Sequence, residues 1–348
     1  MASVQTVPSE TLSAVFWFVL GGPPPRLHAV QLLAYHRARI HALVNLSLVC
    51  RKWRRAVLGD GTLWTTLPVH TSRTDCKEST TTVLERSKHA MLDVSMVCDD
   101  DLDSAREPIL SEILSQNSGR IESLHIATVS PKPLHNLSMS APKLETLYLI
   151  TTEQPAELEF LSGGSLPALR SLALAGFSSW PSGLFLNLKD LFLVLPPLYP
   201  TVKVSTLIDI MSGSPNIEQI KMSAFLSLVD NSPPSSLVRL PNLQKFTMRD
   251  CDSATILSHT IIPATADIKV VIDHRRMSAI MRIPPHDRHI LSAVPEDMST
   301  MGFLVESTMF VVQQDRKVGF GIGFYRSRSS RPSLRIINRS ASVNSFAR

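Results

Sequence analysis

At 348 residues and 44% hydrophobic content, the chain can bury a sizeable core, and its length points to about two domains. The net charge of +5 belongs to one end: from Arg316 onward there are eight Lys or Arg and no Asp or Glu, which leaves the preceding chain at −3. Cys50, Cys76, Cys98 and Cys251 are scattered and form no Cys-x-x-Cys, which excludes a disulfide scaffold and points to a reducing compartment, cytoplasm or nucleus. "AVFWFVL" at 14–20 is apolar, but no base precedes it and no small-residue cleavage site follows. No apolar run approaches the ~18 residues that a membrane span needs, so no membrane partner is expected.

The first element is "VPSETLSAVFWFVL". Pro8 and Ser9 read as a turn and N-cap, and the residues after them run helical. Leu12, Val15, Phe16 and Val19 share one face, and "GGPPP" at 21–25 ends the helix. "RLHAVQLLAYHRARIHALV" is a second helical stretch. "NLSLVCRKWRRAVLGDGTLW", Asn45 to Trp64, follows. On one helix Leu46, Val49, Cys50, Trp53, Ala56 and Val57 form a stripe of 3.6-residue period, with Arg51, Lys52, Arg54 and Arg55 off it. "GDG" at 59–61 then stops the helix, because glycine tolerates left-handed caps.

Cys50 and Trp53 therefore point inward together. A stacking platform for bases would put the aromatic on the basic face, so Trp53 is expected in the core. No His stands at helical spacing beside Cys50 to activate its thiol. The helical unit is about sixty residues long, too small to be robust alone. It must lean on the rest of the chain or on a partner.

These segments resemble an F-box. The family's pattern of Leu-Pro-x-Glu, a Leu and an Ile-Phe on the helix, and a later Val-Cys-(Arg/Lys)-x-Trp reads here as Val7, Pro8, Glu10, Leu12, Val15, Phe16, then Val49, Cys50, Arg51 and Trp53. "GTLW" is similar to the Leu-Trp that follows in large fungal F-box families. The link between the halves, Gly21 to Val44, is longer than the family's and holds a triple proline. The resemblance implies docking onto a Skp-family linker within a cullin-based ubiquitin ligase. The candidate docking residues are Pro8, Leu12, Val15, Phe16, Val49, Cys50 and Trp53, some of which must fill the unit's own core.

The middle of the chain repeats. "RIESLHI" (120), "KLETLYL" (143), "ALRSLAL" (168), "NLKDLFL" (187), "NIEQIKM" (216) and "NLQKFTM" (242) each carry apolar residues at the second, fifth and seventh positions. This resembles the leucine-rich-repeat pattern at irregular spacing. It lacks an asparagine ladder: three residues past each unit stand Val129, Thr152, Phe177, Pro196, Phe225 and Cys251. "MLDVSM" (91–96) and "ADIKVVI" (266–272) are expected as earlier and later strands. Helices are expected in "REPILSEILSQNSG", with Ile109, Leu110, Ile113 and Leu114 on one face, in "STLIDIMSGSP" up to Gly213, and in "DSATILSHT" behind Asp252 or Ser253. Strand, crossover and strand give an α/β fold with parallel strands, an irregular solenoid capped by the N-terminal helices.

By alternation the outward residues of these strands are Ser123, His125, Tyr148, Ser171, Ala173, Asp190, Phe192, Gln219, Lys221, Lys245, Thr247 and Arg249. Ser123, His125, Tyr148, Asp190, Phe192, Lys221, Lys245 and Arg249 are the candidates for holding a protein target. Lys221, Lys245 and Arg249 suit an acidic patch on it.

Residues 274–305 show no clean period, while "STMFVVQ" and "SLRIIN" could be terminal strands. "RSRSSRP" and "NRSASVNSFAR" read as a basic, serine-rich, partly disordered tail. Asp99, Asp101 and Asp103 alternate as in a calcium loop, but Ser104 stands where Gly is needed and Leu110 where Glu is needed. "GFGIGF" at 319–324 has no following helix and no acidic partner, and reads as a strand or turn. His286 and His289 have no third ligand in sight. No motif gathers a Ser–His–Asp set, a Cys–His pair or paired carboxylates. No catalytic residue, metal or cofactor is therefore expected, and nucleic acid is not the expected partner of the tail.

The boundaries that follow are a helical F-box-like domain at 1–70, a repeat domain at 71–315 and a tail at 316–348. The expected function is that of a ligase adaptor. The alternative is a repeat-type interaction scaffold without ligase docking.

Overall fold

The computed structural model describes residues 7–21, 29–70, 76–98, 113–129, 140–151, 156–158, 165–180, 185–194, 204–223, 237–249, 251, 256–257, 259–273, 301–306, 309–314, 320–326 and 332–338. The chain divides into two compact units, Met1–Gly176 and Phe177–Arg348.

In the first unit, helix α1 spans Ser9–Val19. Ser9 is its first helical residue; Pro8 holds the cap position, and the Pro8 carbonyl accepts the Leu12 N–H at 3.1 Å. Proline suits this place because its fixed φ is close to helical and it has no N–H to leave unpaired. The helix closes at Gly21, whose φ of +84° a residue with a Cβ would resist. Leu12, Phe16 and Leu20 are buried, a stripe one residue wide, whereas Val15 and Val19 are exposed. The broader face expected from the sequence is thus half correct.

Helix α2 spans Ala29–Val49 and takes in most of the long link between the two halves of the motif. Leu32, Leu33, His36, Arg39 and Leu43 are buried along it. The stretch from Asn45 to Val57 is not one helix. At Cys50 the backbone is extended, φ −160° and ψ 167°, and a new helix α3, Arg51–Gly59, begins behind it. That break shifts the helical phase. Ala56 and Val57 are buried as expected and Trp53 is half-buried, but Val49 and Cys50 are exposed. Neither Gly59 nor Gly61 takes a left-handed conformation. Instead the Asp60 carboxylate accepts from the Thr62 N–H (2.9 Å) and hydroxyl (2.6 Å) and opens a 3-10 turn, Gly61–Trp64. A Cβ on Gly61 would sit 2.8 Å from the Ser87 carbonyl oxygen, so glycine there permits a close backbone approach. Trp64 is buried, donates its indole N–H to the Val57 carbonyl at 2.8 Å, and lies 4.4 Å beneath the Arg86 guanidinium.

The strands of this unit are β1 (Thr66–His70), β2 (Leu92–Cys98), β3 (Ile121–Thr128), β4 (Thr146–Thr151) and Ser171–Ala175, parallel in that order. Helix α4, Cys76–Ser87, connects β1 to β2. Arg120 ties its C-terminal end down, donating to the Ser87 hydroxyl at 2.9 Å and the Lys88 carbonyl at 2.6 Å, where a cation meets the carbonyl end of the helix dipole. A short helix at 113–117 precedes β3, with Ile113 and Leu114 buried. Ile109 and Leu110 lie outside the described residues.

The repeat's apolar positions form continuous buried rows: Val94, Leu124, Leu147 and Leu172, then Met96, Ile126, Leu149 and Leu174. Each row removes several large side chains from water, at roughly 1.5–3 kcal/mol per side chain.

The second unit repeats the device. Asp190–Val194, Gln219–Ser223, Lys245–Arg249 and Asp267–Asp273 run parallel, with Leu191, Ile220, Phe246 and Ile268 in one buried row. Helix Val204–Ser212 buries Leu207, Ile210 and Met211. Beyond Asp267–Asp273 the pairing turns antiparallel through Met309–Gln314, Met301–Glu306, Pro332–Asn338 and Phe320–Arg326. "STMFVVQ", "SLRIIN" and "GFGIGF" thus fall largely on strands. The acidic run from Asp99, Asp252, Ser253, His286 and His289 lie outside the described residues.

A recurring turn precedes the strands. The N–H of Leu144, Leu169, Ile217 and Leu243 reaches the carbonyl three residues back, at 3.1–3.2 Å, and the residue after each accepting carbonyl is a proline: Pro142, Pro167, Pro215 and Pro241. Proline presets φ for the second position of such turns. These prolines are part of the repeat, although the seven-residue pattern does not include them.

Gly176 has a φ of +87°, and a Cβ there would overlap the Thr151 carbonyl oxygen. Gly176→Ala is expected to lower unfolding free energy by about 2 kcal/mol or more. Gly59→Ala, where an added Cβ meets nothing within 4 Å, is expected to change it by less than about 1 kcal/mol. Urea denaturation of the full chain checks both.

Candidate partner-binding surfaces

The sequence's seven docking candidates separate in the structure into two groups. Leu12 and Phe16 are core residues, and the Phe16 ring meets the half-buried Trp53 edge-on at 5.0 Å between centroids. This pair joins α1 to α3. Pro8, Val15, Val49 and Cys50 face solvent. Beside them stand side chains that sequence reasoning missed. Phe18 is 87% exposed and Leu48 70% exposed, with Trp17 and Val44 partly so. Val15, Phe18 and Val19 lie within two turns of α1; Val44, Leu48 and Val49 lie at the end of α2. In a segment as uniformly apolar as "AVFWFVL", periodicity does not tell which stripe is covered. Scattered exposed leucines are ordinary; here the exposed large apolar groups gather at the ends of two helices of a short unit, which makes them the candidate docking residues.

The middle of α2 packs on the outer face of the first strands through a polar cluster. His36 is fully buried; its Nδ1 is 2.8 Å from the Ser95 hydroxyl and its Nε2 3.2 Å from an Asp93 carboxylate oxygen. Asp93 and Ser95 alternate along β2 with the buried Val94 and Met96, so they project from the opposite side of the sheet. Arg39, also buried, donates to the Leu20 carbonyl at 3.4 Å, where the Tyr35 hydroxyl also donates at 3.3 Å. The fold has thus gathered a Ser–His–Asp set that no sequence motif displays. Its hydroxyl and imidazole are both buried, and the set bridges helix and sheet.

Among the target-face candidates of this unit, Ser123 and His125 continue that cluster. The Ser123 hydroxyl lies 2.8 Å from His125 Nε2, and the His125 ring stacks on Tyr148 at 5.6 Å. Burial holds the His125 pKa down to about 4; the neighbouring His36 acts in the same direction and Asp93 opposes it. Burial also raises the pKa of the Tyr148 phenol. Ala173, expected outward, is buried; it is paired in register with the much larger Tyr148.

In the second unit Gln219, Lys221, Lys245 and Arg249 are exposed, and Asp190, Phe192 and Thr247 are half-buried. The Lys221 ammonium sits 4.8 Å above the Phe192 ring. Lys269, also exposed, belongs to the same face, where the alternation of "ADIKVVI" places it, although it is not among the eight target-face candidates.

Among the described residues, no group of three or more His, Cys, Asp or Glu could hold a metal ion, and no helix is long and apolar enough to cross a membrane. A family model described as F-box-like matches residues 4–68, which covers α1, α2, α3 and the turn to β1. The chain therefore carries an F-box-like domain. No curated protein matches the chain.

The depressed His125 pKa has a consequence for stability. The unfolded imidazole titrates near 6.5 and the folded one near 4. Above pH 6.5 the group contributes nothing; as pH falls from there toward 4 the unfolded chain takes up the proton first, and stability is lost. At pH 5 the loss from this group is about 2 kcal/mol. His125→Gln is expected to flatten that part of the stability profile, read from urea midpoints between pH 7.5 and 4.5.

Proposed function

We propose that this chain is a substrate-recognition adaptor of a cullin-based, SCF-type ubiquitin ligase. Its F-box-like helices dock a Skp-family linker, and the outer face of its parallel strands holds a protein target. F-box domains typically bind linkers of this kind, and F-box proteins in general act as adaptors without covalent chemistry of their own. The observation that carries the reading is the match over residues 4–68 on a helical unit that leaves Phe18, Val19, Leu48 and Val49 in solvent. A desolvated cluster of a few such side chains is enough for a binding hot spot.

The strand domain reads as an irregular leucine-rich-repeat solenoid. Support comes from the parallel register, the six buried triplets of the repeat and the proline turn ahead of four of them. The proposed location is cytoplasm or nucleus, where such ligases meet their targets. An interaction scaffold without docking is the competing reading.

Docking is tested by substitution at residues that the unit's own core does not use. Phe16→Asp and Trp53→Ala would damage the unit's own packing. Phe18→Asp and Leu48→Asp touch only exposed positions. The full chain is expected to capture a purified Skp-family linker, and each exposed-site variant to lose at least about tenfold in affinity with an unchanged thermal melt. A folded chain that captures no linker would leave the scaffold reading in place.

A further inference from the structure

The outer face of the second unit carries a compact charge pattern. Strands Gln219–Ser223, Lys245–Arg249 and Asp267–Asp273 are neighbours, and their register places Lys221, Thr247 and Lys269 in one row. Residues two apart on a strand share a face, so Lys245 and Arg249 flank Thr247 along the middle strand. The residues between them, Phe246 and Met248, are buried, as are Ile220, Met222 and Ile268 on the neighbouring strands. Lys221, Lys245, Arg249 and Lys269 are all exposed. From strand geometry, Lys221 and Lys269 stand about 10 Å apart across the sheet, and Lys245 and Arg249 about 13 Å apart along it. Four cations therefore surround the Thr247 hydroxyl. Phe192 extends the row, with the Lys221 ammonium over its ring. Along one margin, Asp190 and Asp267 lie in the row that passes through Gln219 and Lys245.

We propose that this group of four bases is the recognition site for a carboxylate-rich, extended segment of a protein target. The proposal rests on the reading of the strand face as the target-holding surface. Side chains on one side of an extended segment recur at about 7 Å, so acidic residues at alternate positions can meet successive bases. The cations are spread more widely than a single phosphoryl group, whose oxygens converge on one point. They also do not form a track. A nucleic-acid backbone needs bases in a continuous stripe, and here the row through Lys245 has Asp190 at one end and Asp267 at the other. Clustered like charges repel one another, and an acidic partner relieves that repulsion while fixing its own register.

The test uses the full chain and fluorescence anisotropy with a labelled peptide that alternates Glu and Ser. A Gln-for-Glu version, a singly phosphorylated Ser peptide without Glu, and a single-stranded RNA of equal charge are run beside it. The Glu peptide is expected to bind, and the double variant Lys221→Glu/Lys269→Glu to weaken it at least about tenfold. The variant Lys77→Glu/Lys143→Glu, the same charge change at exposed sites of the first unit, is expected to leave it nearly unchanged. No binding of the Glu peptide, or equal weakening by both variants, would overturn the proposal. Tighter binding of the RNA or of the phosphopeptide, lost in the first variant, would reassign the site and overturn the carboxylate assignment. Linker capture is measured on the same variants. A chain that binds peptide but no linker keeps this site and loses the adaptor reading, and the reverse result loses only the site.

Discussion

The first unit depends on one buried contact: the imidazole of His36 between the Ser95 hydroxyl and the Asp93 carboxylate. Parallel strands are usually covered on both faces, whereas antiparallel ones can leave one face to solvent. On β2 both faces are covered at Ser95, which is fully buried beneath α2. Polar groups in such a place are costly unless they meet partners. His36 supplies one for Ser95 and brings its other nitrogen to Asp93. Without it, an apolar helix face would lie over a hydroxyl and a carboxylate. This contact makes a sixty-residue helical segment, too small to be robust alone, part of a larger folded body.

The rest of the architecture is built from repetition. Within each unit, each strand of the six repeats contributes two inward apolar residues in register with those of its neighbours, and a turn built on a proline precedes four of these strands. Small variations are absorbed locally. Ser214 receives the Leu188 N–H at 3.1 Å and donates to the Phe185 carbonyl at 3.2 Å, an internal bond that a helix-to-strand crossing would otherwise lack. Asn242 donates to Asn216 at 3.0 Å, so a side-chain amide pair joins the first positions of two repeats in a sequence that lacks an asparagine ladder.

Much of this was legible in the sequence because it rests on period. The six seven-residue units carry strand identity and the direction of burial of their apolar positions, because alternation along a strand is strict. The helical part was less legible, for identifiable reasons. The break at Cys50 changes one residue's backbone and no residue's polarity, so a 3.6-residue pattern runs straight through it and misassigns Val49 and Cys50. "AVFWFVL" is apolar all round, so the choice of Phe16 over Phe18 as the buried ring is made by Trp53, from another helix. His36 is separated from Asp93 and Ser95 by more than fifty residues, and only the packing of α2 on β2 unites them.

Helix α2 has one more consequence. Its 21 residues form a rod about 30 Å long at 1.5 Å per residue. His36 is fixed to the sheet near its middle, and Leu48 and Val49 are open at its end, about 18–20 Å further along. The helix has no proline or glycine between these points, so it has no built-in hinge. A body that gripped the end of α2 would be held on a strut. Its distance and bearing from the first strands would be set by helix geometry rather than by a loop, and a target held on those strands would face it at a constant angle.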